Sequence, residues 1–345
     1  MNNRKRFLVA FILISLLTIS GFYWFRAGRK DMSPSADRSN QETVRLAVTP
    51  ALITTPVLLA RHLNYFSEEG LNVIVMEAFS SGKGTFEAML AGNADISTPA
   101  TTPVVFNSFK RQDYSIFATY LTTYEGVKII ARTDRGINSA ADLKNRRIGI
   151  VRGTISEILL DAFLTYNKIL LSEVEPFPLP GDALPEAISS GQVDAIVIWE
   201  PHANNALSKL SGIGIQIPSS KIYRIAINMA VMNDFAEKHP TILEKLVRAL
   251  IRATDFINHH DQEAQKLMAK ILEMDPKQVA DGWGDITFAV SLDQLLLTTM
   301  ENEAKWAIDH QSLGTPKAPN YLDYINYQAL ERVNPELVTI IRAGK

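Results

Sequence analysis

The sequence predicts an α/β protein of two similar lobes with a ligand cleft between them, and three observations carry that expectation. The stretch Glu87-Ala88-Met89-Leu90-Ala91-Gly92-Asn93-Ala94-Asp95-Ile96 returns 99 positions later, Glu87 to Glu186, as Glu186-Ala187-Ile188-Ser189-Ser190-Gly191-Gln192-Val193-Asp194-Ala195. Upstream of each copy stands a short apolar strand that begins with arginine, Arg45-Leu46-Ala47-Val48-Thr49 and Arg147-Ile148-Gly149-Ile150-Val151. Around both, strand-like and helix-like segments alternate, the pattern of a mainly parallel sheet covered by helices. A cleft between two such units is a preferred place for a small ligand.

The first unit opens with a strand over residues 44–49, a loop over 50–55, and a helix that begins near Pro56 and ends near Gly70, a proline and a glycine suited to a first turn and a C-cap. A strand over 71–78 follows, then Ser80-Ser81-Gly82-Lys83-Gly84, a helix over 85–91 and a strand after Asp95. A helix near 103–110 and strands over 116–121 and 127–132 lead out of it. The second unit begins with Ser139 to Lys144 as a short capped helix and the strand at Arg147. Its main helix opens at Thr154 with Glu157 at capping-box spacing. A strand near 174–177, a helix over 184–190 and a strand over 193–199 complete it. Residues 222–231 read as a returning strand, and only helices are expected beyond it, at 240–258, 262–272, 292–307 and near 334–342.

Composition narrows the function classes. The 345 residues are 46% hydrophobic with a formal net charge of -2, and no basic cluster of the kind nucleic acid requires occurs outside the extreme N-terminus. The absence of cysteine excludes disulfides, thiolate nucleophiles, Cys-ligated zinc and iron-sulfur clusters. Residues 1–6 are a basic cytoplasmic n-region, and 7–25 are an uncharged run of about 19 residues, ~28 Å as a helix, enough to cross a bilayer. Basic residues before the run place the remainder outside the cytoplasm. The run is long for a signal peptide and ends Phe22-Tyr23-Trp24-Phe25, like an interfacial belt, which favours an uncleaved anchor over a cleaved signal. Phe22 stands where a lipobox would need cysteine. Residues 26–43 read as a linker.

Five segments in this order resemble a known family: Leu58-Leu59-Ala60-Arg61 with Asn64 to Val73, the first Ala-x-x-x-Gly-x-x-Asp stretch, Asp142-Leu143-Lys144 before a strand, Gly191 to Ala195 with Trp199-Glu200-Pro201, and Tyr321 to Ile325. Together they resemble the nitrate, sulfonate, taurine and thiamine-precursor branch of ABC-transporter substrate-binding proteins, over about residues 44–345. The resemblance implies a two-lobed type II periplasmic-binding-protein fold, with lobe one at 44–127 plus 228–345 and lobe two at 128–227. It also implies closure on a small anionic or zwitterionic solute and delivery to an ABC permease, by a monomer that carries no cofactor and no metal.

Ligands in such sheets lie beyond the carboxyl ends of the strands. That rule selects Thr49, Thr54, Ser81, Gly82, Thr98 and Thr101 in the first unit and Arg152, Thr154, Trp199 and Glu200 in the second, with Glu125 at the crossing. Several of these loops run into helix N-termini, which suit an oxyanion. Each residue also has a structural reading. Ser81 to Thr85 make a helix-opening turn, Thr154 a cap, Arg152 a solvated charge and Trp199 a core ring. The Ser81-Gly82-Lys83-Gly84-Thr85 stretch is not a P-loop, because Glu77 replaces the first glycine and Gly84 the Ser/Thr. His259 and His260 are adjacent, do not share a helix face and make no metal pair. H-E-x-x-H, G-x-S-x-G and EF-hand patterns are absent.

The leading expectation is therefore an anchored extracytoplasmic solute-binding protein without catalytic chemistry. A tethered ligand-sensing domain is the alternative. An enzyme on the same fold, of pyrimidine-synthase or futalosine-pathway type, stands behind it, since the resemblance implies a cysteine-rich iron site for the former and a cytosolic setting for the latter.

Overall fold

The structure is a computed structural model that describes residues 41–219, 221–310 and 317–342. The expected n-region and apolar segment lie outside the described residues, as does all but the end of the linker. Among the described residues no helix is long and apolar enough to cross a membrane.

In chain order the elements are β1 (Glu42–Ala47), α1 (Thr55–His62), α2 (Tyr65–Glu68), β2 (Leu71–Met76), α3 (Gly82–Leu90), β3 (Ile96–Ser97), α4 (Thr101–Ser108), β4 (Tyr114–Thr123) and β5 (Val127–Arg132). Then follow β6 (Arg147–Ile150), α5 (Ile155–Tyr166), β7 (Glu175–Pro178), α6 (Leu184–Ser189), β8 (Ala195–Trp199), α7 (His202–Leu210), β9 (Gly214–Ile217) and β10 (Ile225–Met232). The chain closes with α8 (Asn233–Lys238), α9 (Pro240–His259), α10 (Asp261–Ile271), α11 (Pro276–Trp283), β11 (Thr287–Ser291), α12 (Gln294–His310) and α13 (Gln328–Val333).

Among the described residues the strands form two sheets, one ordered β11-β4-β10-β3-β1-β2 and the other β7-β6-β8-β5-β9. They share a plan. In the first, β1 lies between parallel β2 and β3, and antiparallel β10 enters beside β3. In the second, β6 lies between parallel β7 and β8, and antiparallel β5 enters beside β8. The antiparallel strand in each sheet is the one that has just crossed from the other, β5 after β4 and β10 after β9. Val127 pairs with Trp199 in the second sheet and Ile225 with Thr123 in the first. The chain thus joins the second sheet at Val127 and returns to the first at Ile225.

The duplicated decapeptide is a folding device. Gly92 and Gly191 stand just past the ends of α3 and α6 at φ +75° and +79°, a conformation glycine adopts at no steric cost. Three residues on, Asp95 accepts the Arg45 amide through Oδ2 at 2.8 Å, and Asp194 accepts the Arg147 amide at 2.9 Å. Each aspartate amide returns a bond to the same arginine's carbonyl, at 2.9 and 2.8 Å. The repeat therefore fixes β1 at its fourth residue and β6 at its first, in each case short of the strand's carboxyl end.

Beyond β10 the expectation of helices alone is overturned. Residues 287–291 form β11, which pairs antiparallel with β4 at the edge of the first sheet. Phe288 and Val290 are buried while Thr287 and Ala289 are exposed, the period-two alternation of a half-buried strand. The helix expected from Pro56 to Gly70 is broken into α1 and α2 at Asn64, which adopts φ 62°. The first strand starts at Glu42, two residues inside the expected linker. On α9, Leu243, Leu246, Val247, Leu250 and Ala253 are buried on one stripe. Each large aliphatic side chain buried there contributes roughly 1.5–3 kcal/mol.

Candidate functional site

A narrow crevice lies at the carboxyl ends of β1, β3 and β8. The first lobe contributes Thr49, Ile53, Thr54, Gly82, Lys83, Thr98, Ala100 and Pro103. Thr154, Ile155 and Trp199 face them from the second, and Gly126, Val127, Ile225 and Ile227 close the side where the chain crosses between sheets.

Local sequence explains how each wall is held. Ser81 caps α3, its Oγ accepting the Gly84 amide at 3.2 Å, so Gly82 and Lys83 present the first turn to the crevice. Gly82 packs on backbone: a β-carbon there would lie 3.2 Å from the Pro99 Cα. Across the crevice Thr154 caps α5 by accepting the Ser156 amide at 3.2 Å. Glu157, expected to reach back to Thr154, instead accepts the Gly153 amide at 2.9 Å. Its reach is one residue longer because Gly153 turns into the left-handed region at φ +74°. The amino ends of α3, α4 and α5 therefore meet at one place, and their unpaired amides and dipoles favour negative charge there.

Most hydroxyls in the lining are already committed. Thr54 donates to the Thr49 carbonyl at 2.7 Å, Thr98 to the Ala47 carbonyl at 3.1 Å and Thr154 to the Val151 carbonyl at 2.7 Å. The Thr49 hydroxyl is different: it is buried and has no hydrogen-bond partner. A buried unpaired hydroxyl in a crevice wall is a group whose desolvation only a ligand or a water offsets. Among the described residues Lys83 is the one charged side chain in the lining, and its ammonium stands 2.9 Å from Glu87.

Thr49, Thr54, Gly82, Thr98, Thr154 and Trp199, all marked by the strand-end rule, are thus brought together. The other five sites lie elsewhere. Ser81 sits behind the turn as its cap. Thr101 is turned away from the crevice and donates to Glu303 at 2.8 Å. Glu125 is exposed, and its amide is held by Thr123 and by Asp285. Arg152 has a side chain 67% exposed, 3.6 Å from Glu157. Glu200 is buried against Lys128 at 2.6 Å, and its other oxygen accepts the Asn204 amide at 2.9 Å.

Sequence reasoning marked the Ser80 to Thr85 loop but missed the Lys83 side chain, and it missed the apolar wall of Ile53, Ile155, Ile225 and Ile227. Their alternation within strands and helix starts looks like that of any core position. Glu303 was missed too. Among the described residues no group of His, Asp or Glu is arranged to hold a metal.

Comparison with known proteins supplies a frame for this geometry. A family model described as NMT1/THI5 like matches residues 53–264. A Bacillus subtilis (strain 168) protein named for binding aliphatic sulfonates is 24% identical over 269 residues, covering 76% of this chain and 80% of its own. The taurine-binding periplasmic protein of Escherichia coli (strain K12) is 24% identical over 217 residues, 61% of this chain and 66% of its own. Among solved structures, the alkanesulfonate-binding protein SsuA from Xanthomonas axonopodis pv. citri bound to MOPS superposes with a TM-score of 0.72 at 18% identity, covering 84% of this chain and 99% of that one. The desulfurization enzyme DSZB shares the fold at a TM-score of 0.62 and 15% identity, covering 86% and 99%.

Proposed function

The chain belongs to the NMT1/THI5-like family, and on that premise we propose that it is an extracytoplasmic solute-binding protein that closes on a small oxyanion and delivers it to an ABC permease. The observation that carries this reading is the crevice itself: one free buried hydroxyl, Thr49, lies beside the amino ends of helices from both lobes, in a lining whose other threonine hydroxyls are already bonded. The names of the relatives, sulfonate and taurine binders, fit the same chemistry.

The crevice narrows the solute further. An anionic head is held by Thr49 and by the first-turn amides at Gly82 and Thr154–Ile155. Its tail lies against Ile53, Ile155, Ile225, Ile227 and the Trp199 ring. A taurine-like ammonium lacks a carboxylate to meet it, since Glu200 is held by Lys128 and an amide. We therefore read the solute as a sulfonate or carboxylate with an apolar substituent rather than a zwitterion. The set of hydroxyls, aliphatic groups and one lysine suits holding rather than transforming a molecule, and the chain has no cysteine to act as a nucleophile.

Residues 7–25 serve in this reading as the tether that keeps the protein at the outer face of the membrane. A thermal-shift screen of the purified protein against alkanesulfonates, aromatic sulfonates, carboxylates, nitrate and taurine tests the solute class. A solute at a hundred times its Kd adds about 2.7 kcal/mol. Stabilisation by apolar sulfonates or carboxylates is expected, and silence across the panel, or a response to nitrate alone, contradicts it. Co-purification with a signalling protein instead of a permease would favour a tethered sensor.

A further inference from the structure

Helix α12 belongs to the first lobe, packed on α4 and on the turn Tyr321–Tyr324, yet its exposed end touches the second. The Trp306 indole N–H donates to Asp161 Oδ2 on α5 at 2.7 Å. Asp161 follows the second lobe's β6, and α5 packs on β5, β6 and β8. The indole is fixed in orientation. It stacks with Phe106 of α4 at 6.1 Å and 3° between planes, and with His310 one turn along α12 at 4.8 Å and 12°. The His310 Nε2 stands 3.9 Å from the other Asp161 oxygen.

One turn before Trp306 on the same helix, the buried Glu303 accepts hydroxyl hydrogens from Thr101 at 2.8 Å, Thr102 at 2.9 Å and Tyr223 at 2.8 Å, all on Oε1. Tyr223 lies in the segment that carries the chain from β9 back to β10. The helix is therefore anchored at the crossing by Glu303 and reaches the opposite lobe with Trp306. Next to the crevice residue Thr154, Gly153 of the second lobe stands against Lys83 and Phe106 of the first. A β-carbon at Gly153 would come to 3.2 Å from Lys83 Cε and 3.9 Å from Phe106 Cδ2.

From this arrangement we infer that Trp306 and Asp161 form a clasp that holds the two lobes closed, making them positioning residues that set solute affinity without touching the solute. A lobe rotating open about the two crossing segments must break the indole-carboxylate bond, whereas the bonds of Glu303 to Thr101 and Thr102, within one lobe, survive. The clasp rests on the closing-cleft reading above but is read without any solute, so the wrong solute class leaves its test intact.

The chain has no cysteine, so cysteines introduced at the exposed Lys110 in the first lobe and Leu170 in the second are unique labelling sites. Spin-label distance distributions on the full chain in detergent, without added solute, report the ratio of closed to open separations. Trp306→Phe, which keeps a ring but loses the donor, and Asp161→Ala are each expected to lower that ratio about tenfold, the scale of one hydrogen bond to a charged group. Asp161→Asn, whose amide oxygen still accepts the indole hydrogen, falls between. The double variant Trp306→Phe/Asp161→Ala opens no further than Asp161→Ala alone, because the carboxylate's loss already removes the indole bond. Distributions that do not change in the single variants overturn the inference, and so does a double variant whose effect is the sum of the two.

Discussion

Asp95 and Asp194 make the same pair of bonds 99 residues apart: each carboxylate accepts the amide of an arginine, Arg45 within β1 or Arg147 at the start of β6, and each backbone amide donates to that arginine's carbonyl. Asp95 adds a two-pronged contact with the Arg45 side chain, at 2.6 Å from Nη2 and 3.2 Å from Nε. Arg147 sends its guanidinium elsewhere, over the Phe177 ring at 4.7 Å. The same backbone device thus recurs with different side-chain support.

Loss of either aspartate is expected to unfold one lobe's edge rather than disturb the crevice. Asp95→Ala and Asp194→Ala should each cost about 1–3 kcal/mol, the range for leaving a partly buried amide unpaired. Asp95→Ala falls at the higher end because it also releases Arg45. Urea unfolding reads the loss, and solute affinity measured well below the transition should stay within about twofold.

Glu303 makes stability depend on pH. Burial raises its carboxyl to about 7, against the lowering effect of hydrogen bonds from Tyr223, Thr101 and Thr102. An acid raised in the folded state binds its proton more tightly there than in the unfolded chain, so its contribution is complete below about 4.5 and is lost as pH rises through about 7. The wild-type protein should therefore lose roughly 3 kcal/mol between pH 4.5 and 8 from this group alone. Glu303→Gln, neutral at every pH, should flatten that part of the profile in melting curves taken across the range. A profile unchanged by the substitution would contradict the assignment.

Lys128 and Glu200 test whether a buried ion pair beside the crevice serves the fold or the solute. Their side chains are 12% and 7% exposed. Glu200→Gln leaves the lysine without its charge partner and should destabilise by about 3 kcal/mol, while Lys128→Met/Glu200→Gln should recover most of that. Affinity for an apolar sulfonate is expected to change little in the double variant. A tenfold or greater loss of affinity with unchanged stability would return Glu200 to the solute.

The framework of this protein was legible because repetition is local. The decapeptide, the arginine-led strands and the glycines past α3 and α6 sit within a few residues of what they control, and strand ends predicted six of the crevice residues. What escaped was set by distance along the chain. Thr101 and Glu303 are bonded across 202 positions, and Lys128 and Glu200 across 72, so nothing near either residue announces that its polar group is already taken. Strand-end position marked Arg152, whose side chain lies largely in solvent beside Glu157. The strand β11 was readable in the alternation of Thr287 to Ser291 and was hidden only by the helices on either side.

The most direct test of the account is a calorimetric titration of the wild-type protein and Thr49→Val with an alkanesulfonate and with taurine. Tight saturable binding of the alkanesulfonate is expected, weakened about tenfold by Thr49→Val because the valine removes the free hydroxyl and keeps the shape. Taurine should bind the wild type at least tenfold more weakly, for want of a carboxylate to meet its ammonium. Taurine binding as tightly as the alkanesulfonate, or an affinity that Thr49→Val leaves unchanged, would contradict the crevice as the site of an apolar oxyanion.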